Sequence, residues 1–447
     1  MSPRNRELLA LVPASLLIAA GFAAIFVSRK DLLGGLHGTN EISNASLTYG
    51  AIFLGLCFAA HLVIRFTLPN ADPYLFPLAA LLACFGLVEI YRISDTLARQ
   101  QAQWFVIGLG LFALTIVCLR NYQVLERYRY LIAMIGIGLL LLPRLSSPVN
   151  GAYLQIRIGS LSVQPAEFSK LCIVIFLASY LRDTRQLMVT SGRRFLGLVV
   201  PPLKHFGPLL LVWGTSMVLL FYIKDIGSSV MFFGAFLAMI YVATNRFSFV
   251  LVGLGLFAVG AFLIAGQVPH IHDRIEAWQH PFDPVLYSRA TGGSYQLAQG
   301  LFAQADGGVL GQGFGGAVLE LPRQYCAEGQ TVCSLLPAPH TDFIYSVIVN
   351  ELGLVGAAGL LVVYLLIVQR GFKIAVLARD SFSKLLAAGL TTVFALQVFV
   401  IVGGVTKLIP LTGVTLPFVS YGGSSILANF VLLALLLVVS EKARRAA

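Results

Sequence analysis

The chain has 447 residues, 57% of them hydrophobic and 11% charged, with a net charge of +11 and a mean hydropathy of +0.84. That composition excludes a soluble globular domain. Apolar runs of roughly 17 or more residues recur from end to end, the pattern of an all-α polytopic membrane protein. The basic residues are scattered between the runs rather than clustered with aromatics, which excludes nucleic-acid binding and fits a membrane surface of anionic lipid heads.

Twelve spans are expected, near 8–28, 47–67, 74–91, 103–119, 128–143, 165–181, 208–223, 228–243, 248–268, 342–368, 383–406 and 418–440. The run from Leu8 lacks a small-x-small site before Arg29 and Lys30, so it reads as a span rather than a cleaved leader. An even number of spans places both termini on one side. Lys and Arg outside the spans favour that side, with Arg182, Arg185, Arg193, Arg194 and Lys204 in one loop and Lys442, Arg444 and Arg445 in the tail. The termini are therefore expected in the cytoplasm, and the large loop 269–341, which precedes the tenth span, outside. Cys57, Cys84, Cys118 and Cys172 lie in apolar runs and read as small core residues. Cys326 and Cys333 lie in the exported loop, where a disulfide hairpin can close in an oxidising compartment.

Polar signals interrupt the apolar text in five places. The first is 150–170, where an alternating segment holding Arg157 meets Pro165 at a helix start. Glu167 then falls where it can satisfy an orphan amide, and Lys170 shares its face. A charged pair at the mouth of an apolar span needs a protein or water cavity; it is either a structural ion pair or part of a site. The second is Lys224-Asp225-Ile-Gly-Ser-Ser229, where Asp225 is a helix cap or a charge at the rim. The third is the loop itself. It holds His270, His272, Asp273, Arg274, Trp278, Tyr295, Gln296, Gln299 and the Gly-rich run 307–316. That run contains G-x-G-x-x-G, but no βαβ unit surrounds it, so it reads as tight turns or a surface open to a large ligand. The pair His270 and His272 with Asp273 reads as solvated loop rather than a metal site.

The fourth stretch, 336–353, runs from the polar loop into an apolar run, so Asp342 sits where water meets hydrocarbon. Thr341 can cap there and Asp342 can open a helix, complementing its dipole. The fifth, 403–425, breaks a membrane region with Pro410, Pro417 and several glycines around Lys407, Ser420, Tyr421 and Ser424. Irregular backbone at that depth survives only where protein or a wet cavity satisfies it, and Lys407 there wants an anion.

In this order the Gln164-Pro-Ala-Glu167-x-x-Lys170 stretch, Lys224-Asp225-x-Gly-Ser, Tyr295-Gln296-x-x-Gln299, Pro339-His340-Thr341-Asp342-Phe-Ile, Glu351-Leu-Gly353 and Leu416-Pro-Phe-x-Ser420-Tyr421-Gly-Gly-Ser424 resemble the SEDS family, the RodA/FtsW/SpoVE group. The resemblance covers about residues 74–440. It implies a ten-span membrane domain over 74–447, with two further spans in an N-terminal region, 1–73. It further implies a peptidoglycan glycosyltransferase that polymerises lipid II beside a class B penicillin-binding protein, with Asp342 as the catalytic base. The short basic tail leans towards the elongation type rather than the division type. Arg157, Glu167, Lys170 and Lys407 would hold diphosphate or position helices, and a divalent cation, Mg²⁺ or Mn²⁺, could share that task. Lys224, Asp225, Arg274, Tyr295, Gln296, Gln299, His340, Thr341, Ser420, Tyr421 and Ser424 complete the expected site. Gln155, Asn350 and the Cys326–Cys333 insertion depart from the family pattern. A flippase for the same lipid and a non-catalytic scaffold for a partner synthase are the rival readings. A flippase would need two opposed halves with matching broken helices, and one broken region, near Pro410, is legible. The charge bias predicts that a reporter fused after Ala447 reads as cytoplasmic; an external reading would overturn the layout.

Overall fold

The computed structural model describes residues 3–18, 20–21, 39–146, 155–158, 161–190, 193–195, 198–200, 207, 210, 213–215, 217–218, 225–265, 269–289, 292–321 and 333–445. It is a polytopic helical membrane protein. Among the described residues seven helices are long and apolar enough to cross a membrane: 50–67, 75–93, 95–118, 227–244, 344–377, 381–405 and 423–445. Arg129–Leu141, Ala166–Thr190 and Phe247–Ala265 fall at further expected spans. Most of the expected 208–223 span lies outside the described residues.

Boundaries differ from the hydropathy reading where caps decide them. The expected 103–119 span begins eight residues earlier, at Asp95, because Ser94 Oγ accepts from Leu97 N at 3.5 Å and Asp95 pairs with Arg99 one turn on. Two helix starts use the same device. Asp225 accepts from Ser228 N and Oγ at 2.9 and 2.6 Å, and Asp380 accepts from Ser383 N and Oγ at 2.9 and 2.6 Å. The expected 418–440 span starts only at Gly423, leaving 418–422 in the irregular segment. Three two-stranded antiparallel hairpins add to the helices; the first pairs 156–158 with 161–163. Among its described residues, loop 269–341 holds the helices Pro269–Gln279, Pro284–Ser288 and Tyr295–Gly307.

The helix Gly423–Arg445 is almost wholly buried, more so than any other described span. Its Phe430 ring lies 5.5, 6.0 and 5.2 Å from those of Phe105, Phe112 and Phe418. At its C-terminal end Arg444 pairs with the buried Asp72, which also accepts from Tyr74 N and faces Arg370 at 3.7 Å. Ser440 Oγ accepts from Asp72 N at 2.9 Å, and Glu441 accepts from Asn70. Nearby Glu7 joins Arg4 and His61, which ties the first helix to Thr39–Thr67. At its opposite end this helix meets the irregular segment 406–422, whose Phe418 and Val419 are buried.

That segment comes within backbone distance of helix Leu75–Ile93. A Cβ on Gly86 would lie 2.5 Å from Val419 O and 2.6 Å from Val419 Cα. Neither atom can move without shifting the segment. Gly86→Ala is therefore expected to destabilise the fold by about 1–3 kcal/mol, the range for overpacking, read as a lower unfolding midpoint in detergent. An unchanged midpoint would show that the contact is looser than described.

Candidate active site

Asp342 lies in a turn, one residue ahead of the position that caps Ile344–Leu377. The capping residue is Phe343, and no side chain caps this helix. Thr341 and Asp342 therefore do not open the helix in the way their types suggest. Thr341 Oγ1 instead donates to Ala338 O at 3.4 Å.

Asp342 faces Arg274, which the loop helix Pro269–Gln279 brings in from 68 residues upstream in the chain. Between them lies Gly413. A Cβ there would sit 3.7 Å from both Arg274 Nη2 and Asp342 Oδ2. The missing side chain leaves the acid and the guanidinium sharing one opening. Arg274 Nη1 is fixed by donating to Leu411 O at 2.9 Å. Asp342 keeps part of its surface exposed, yet is densely surrounded, and this desolvation raises its pKa to about 6 against the opposing pull of Arg274. Arg274 is itself pushed down by burial, while Asp342 and Asp225 hold it up. Asp225 is raised by burial, with its Ser228 bonds and Arg274 opposing. Asp225 thus both caps its helix and lies behind Arg274.

Behind these groups runs a buried polar chain. Lys170 Nζ bonds Glu167 Oε2 at 2.6 Å and Gln397 Oε1 at 2.7 Å. Gln397 Nε2 donates to Thr415 O at 3.0 Å and Ser425 Oγ at 3.2 Å. All three side chains are buried, so Glu167 and Lys170 form a structural pair that also ties their helix to the broken segment.

A second set of bonds joins 340–342 to the broken segment. Tyr421 N donates to His340 O at 2.8 Å, and the two rings meet edge-on at 5.8 Å. Ser420 Oγ donates to Thr341 O at 2.8 Å. Tyr421 Oη donates to Gln100 at 2.6 Å, and Gln101 Nε2 donates to Ser420 O at 3.1 Å. Ser424 Oγ accepts from Gln164 N at 2.7 Å. Burial holds the His340 imidazole below its usual range. Lys407 has φ +63° and offers its carbonyl to Trp278 Nε1 at 3.0 Å. Among the described bonds it enters through this backbone carbonyl.

The loop helix Tyr295–Gly307 packs on the start of Ile344–Leu377. Tyr295 Oη reaches Leu335 O at 3.5 Å, Gln299 donates to Tyr287 Oη at 2.6 Å, and Gln296 is exposed. On this helix Gln299, Phe302 and Asp306 border a cavity of about 280 Å³ shared with Gln312 and Asn350. The side chain of Arg157, all of Lys224 and Cys326, and the side chain of Cys333 lie outside the described residues, so the expected disulfide does too. Among the described residues no three His, Cys, Asp or Glu side chains converge on a metal position.

The sequence reading missed Gln397, Gln101 and Gln304. Each is an amide whose bonds hold irregular or loop-facing backbone. Gln397 carried a signal, since a lone amide inside an apolar run is expensive without partners.

The family model described as cell cycle protein, FTSW_RODA_SPOVE, matches residues 74–445. A relative from Mycobacterium tuberculosis, Peptidoglycan glycosyltransferase RodA, is 40% identical over 99% of this chain and 91% of its own length. Stage V sporulation protein E of Bacillus subtilis is 30% identical over 84% of this chain and 98% of its own. A chain from a peptidoglycan synthase complex that coordinates polymerization and crosslinking covers 83% of this chain and 98% of its own, with a TM-score of 0.64 at 24% identity. The Thermus thermophilus rod shape determining protein RodA gives a TM-score of 0.57 at 24% identity, covering 83% of this chain and 96% of its own. The family model and the two relatives show one family, the two structures share its helical fold, and the chain belongs to the FtsW/RodA/SpoVE family.

Proposed function

We infer that this chain is a peptidoglycan glycosyltransferase that polymerises lipid II, with Asp342 as its general base. The observation that carries this reading is the half-buried Asp342 carboxyl, which shares the space left by Gly413 with Arg274. Joining a sugar hydroxyl to an anomeric carbon requires a base on the hydroxyl and charge stabilisation for the leaving diphosphate. Asp342 takes the proton of the acceptor GlcNAc 4-hydroxyl as its oxygen bonds the donor's anomeric carbon. The bond from that carbon to the diphosphate oxygen breaks with inversion, and the lipid diphosphate departs with the electron pair. Arg274 lies within reach of both the carboxylate and the incoming charge. A pKa of about 6 keeps Asp342 ionised yet basic near neutral pH.

The remaining assignments complete the proposal. The Asp342 end of the bundle faces outward, and the termini, with the Asp72 cluster, face the cytoplasm. Residues 1–73 form an additional N-terminal region beside the 74–447 domain. Arg157, Lys224 and Lys407 are the further cations for the diphosphate. A divalent cation, Mg²⁺ or Mn²⁺, would take carboxylate and substrate phosphate oxygens and supply charge neutralisation. The partner is a class B penicillin-binding protein. It docks through the exposed apolar face of Ile344–Leu377, where Leu354, Val362, Leu365 and Val376 lie open.

Asp342→Asn is expected to reduce polymerisation of lipid II by purified protein about 10²–10⁴-fold, the usual loss for a general base. Asn is nearly isosteric, so expression and unfolding midpoint should stay unchanged. Asp306→Asn, at an exposed loop position, should keep wild-type activity. Polymerisation within a few-fold of wild type in Asp342→Asn would place the base elsewhere, with Glu167 the next position to test.

The pH profile gives a separate check. A raised carboxyl pKa means that the basic form is lost as pH falls through about 6. Rates should be level above that point and drop about tenfold per unit below it. A profile that stays level down to the ordinary carboxylate range would rule out the desolvated Asp342 as base.

A further inference from the structure

A buried charge pair outside this chemistry holds the Gly-rich turn. Helix Ile344–Leu377 kinks at Gly353, where φ is +67°. There the turn replaces helix bonds. Leu354 N and Val355 N donate to Gly308 O and Val309 O at 3.0 and 3.2 Å, while Gln312 N and Gly313 N donate to Asn350 O and Glu351 O at 2.9 and 3.0 Å. A Cβ on Gly311 would lie 2.1 Å from Glu351 O, so the backbones meet without an intervening side chain. The Glu351 side chain completes the junction. Its Oε2 accepts from Gly315 N at 2.8 Å, and its Oε1 pairs with Arg92 Nη2 at 2.6 Å. The same Arg92 nitrogen donates to Ala317 O at 2.7 Å. The Glu351 side chain is fully buried and that of Arg92 is 10% exposed. A buried ion pair is weak evidence of stability, since apolar residues of the same shape often do as well. Its use is to fix register.

The turn leads directly from helix Tyr295–Gly307, which packs against Phe343, the residue after Asp342. A Cβ on Gly300 would lie 2.6 Å from the Phe343 ring. Gln304 Nε2 donates to Ser346 Oγ and Val405 O, both at 2.9 Å. We propose that Arg92 and Glu351 are positioning residues for the glycosyl transfer, anchoring turn 307–317 and through it seating helix Tyr295–Gly307 against the segment that carries Asp342. This rests on Asp342 as the base. The charged and titratable groups around Asp342 are Arg274, with Asp225 and Glu167 behind it, and His340 and Tyr421 on the two joined segments. Among the described bonds none of these touches Arg92 or Glu351, so the pair acts on Asp342 through the loop helix.

The test follows rate against pH for purified protein polymerising lipid II, with unfolding midpoints measured in parallel. Glu351→Gln is expected to lower kcat by about 10²-fold, the scale for an ångström of misplacement, with KM little changed. Water admitted beside Asp342 should also move the acid limb to lower pH. Arg92→Lys, which keeps the charge, should retain more activity than Arg92→Met. Asp72→Asn is the control, because Asp72 is also a buried, paired acid but lies at the opposite end of the bundle from the turn; its limb should match wild type. A folded Glu351→Gln with an unmoved limb and kcat within a few-fold of wild type overturns the proposal. The same shift in Asp72→Asn overturns it too, by making the shift a general response to lost charge. If Glu351→Gln fails to fold, the Arg92→Lys and Arg92→Met pair decides by the same criteria. A wild-type profile with no limb near pH 6 defeats the base assignment instead, and positioning is then judged on kcat alone.

Discussion

Hydrocarbon offers no water to a broken backbone, and the segment 406–422 is where this chain meets that constraint. Side chains from many elements supply the missing bonds. Gln397 reaches Thr415 O, Gln101 reaches Ser420 O, and Tyr364 Oη donates to Pro417 O at 2.7 Å. Arg274 takes Leu411 O and Trp278 takes Lys407 O. Two of these donors come from the loop helix Pro269–Gln279, so satisfying the segment also docks the loop. The same act brings Arg274 to Asp342. The site is thus a by-product of solving a backbone problem, and a side chain that serves the segment can serve the chemistry as well.

The electrostatics follow the same logic. Glu167 and Lys170 are buried, but neither is isolated, because Gln397 extends the pair into the segment. Asp225 spends its two oxygens on Ser228. Asp342 is the acid of this group that faces its guanidinium across a gap rather than a bond, which leaves a proton-accepting oxygen open. Ordinary structural carboxylates in the bundle, such as Asp72 beneath Arg444 and Arg370, are instead closed off by partners.

Much of this was legible in the sequence, for reasons that differ from residue to residue. Apolar run length gave the spans, because the bilayer thickness imposes it. Asp342 stood out since a carboxylate at the border of a polar loop and an apolar run is rare. The break near Pro410 was readable from prolines and glycines. Arg274 could be named but not paired, because its contact depends on how a loop helix docks. The start at Asp95 was hidden, as a capped polar first turn looks like loop to a hydropathy window. Glu351 was seen as part of a motif, while Arg92 stood in none. Their pairing depends on a kink at Gly353 that no local pattern announces. Lys407 was read for its side-chain charge, while the backbone bond it makes at a positive φ had no local signal.

The burial of Gly423–Arg445 bears on how the molecule is made. This helix leaves the ribosome after the other described spans, yet it is the most buried of them. Domains synthesised first usually fold first, but here Asp95–Cys118 and the other spans that pack on this helix lack that partner until it is made. Each waits in the bilayer with small and aromatic surfaces unfilled, and helix association in lipid depends on close packing rather than on expulsion of water. The nascent bundle therefore stays loosely assembled during translation. Residues 406–422 acquire their fixed course only when the helix behind them slots in, so catalytic competence arrives as a late, single event of assembly.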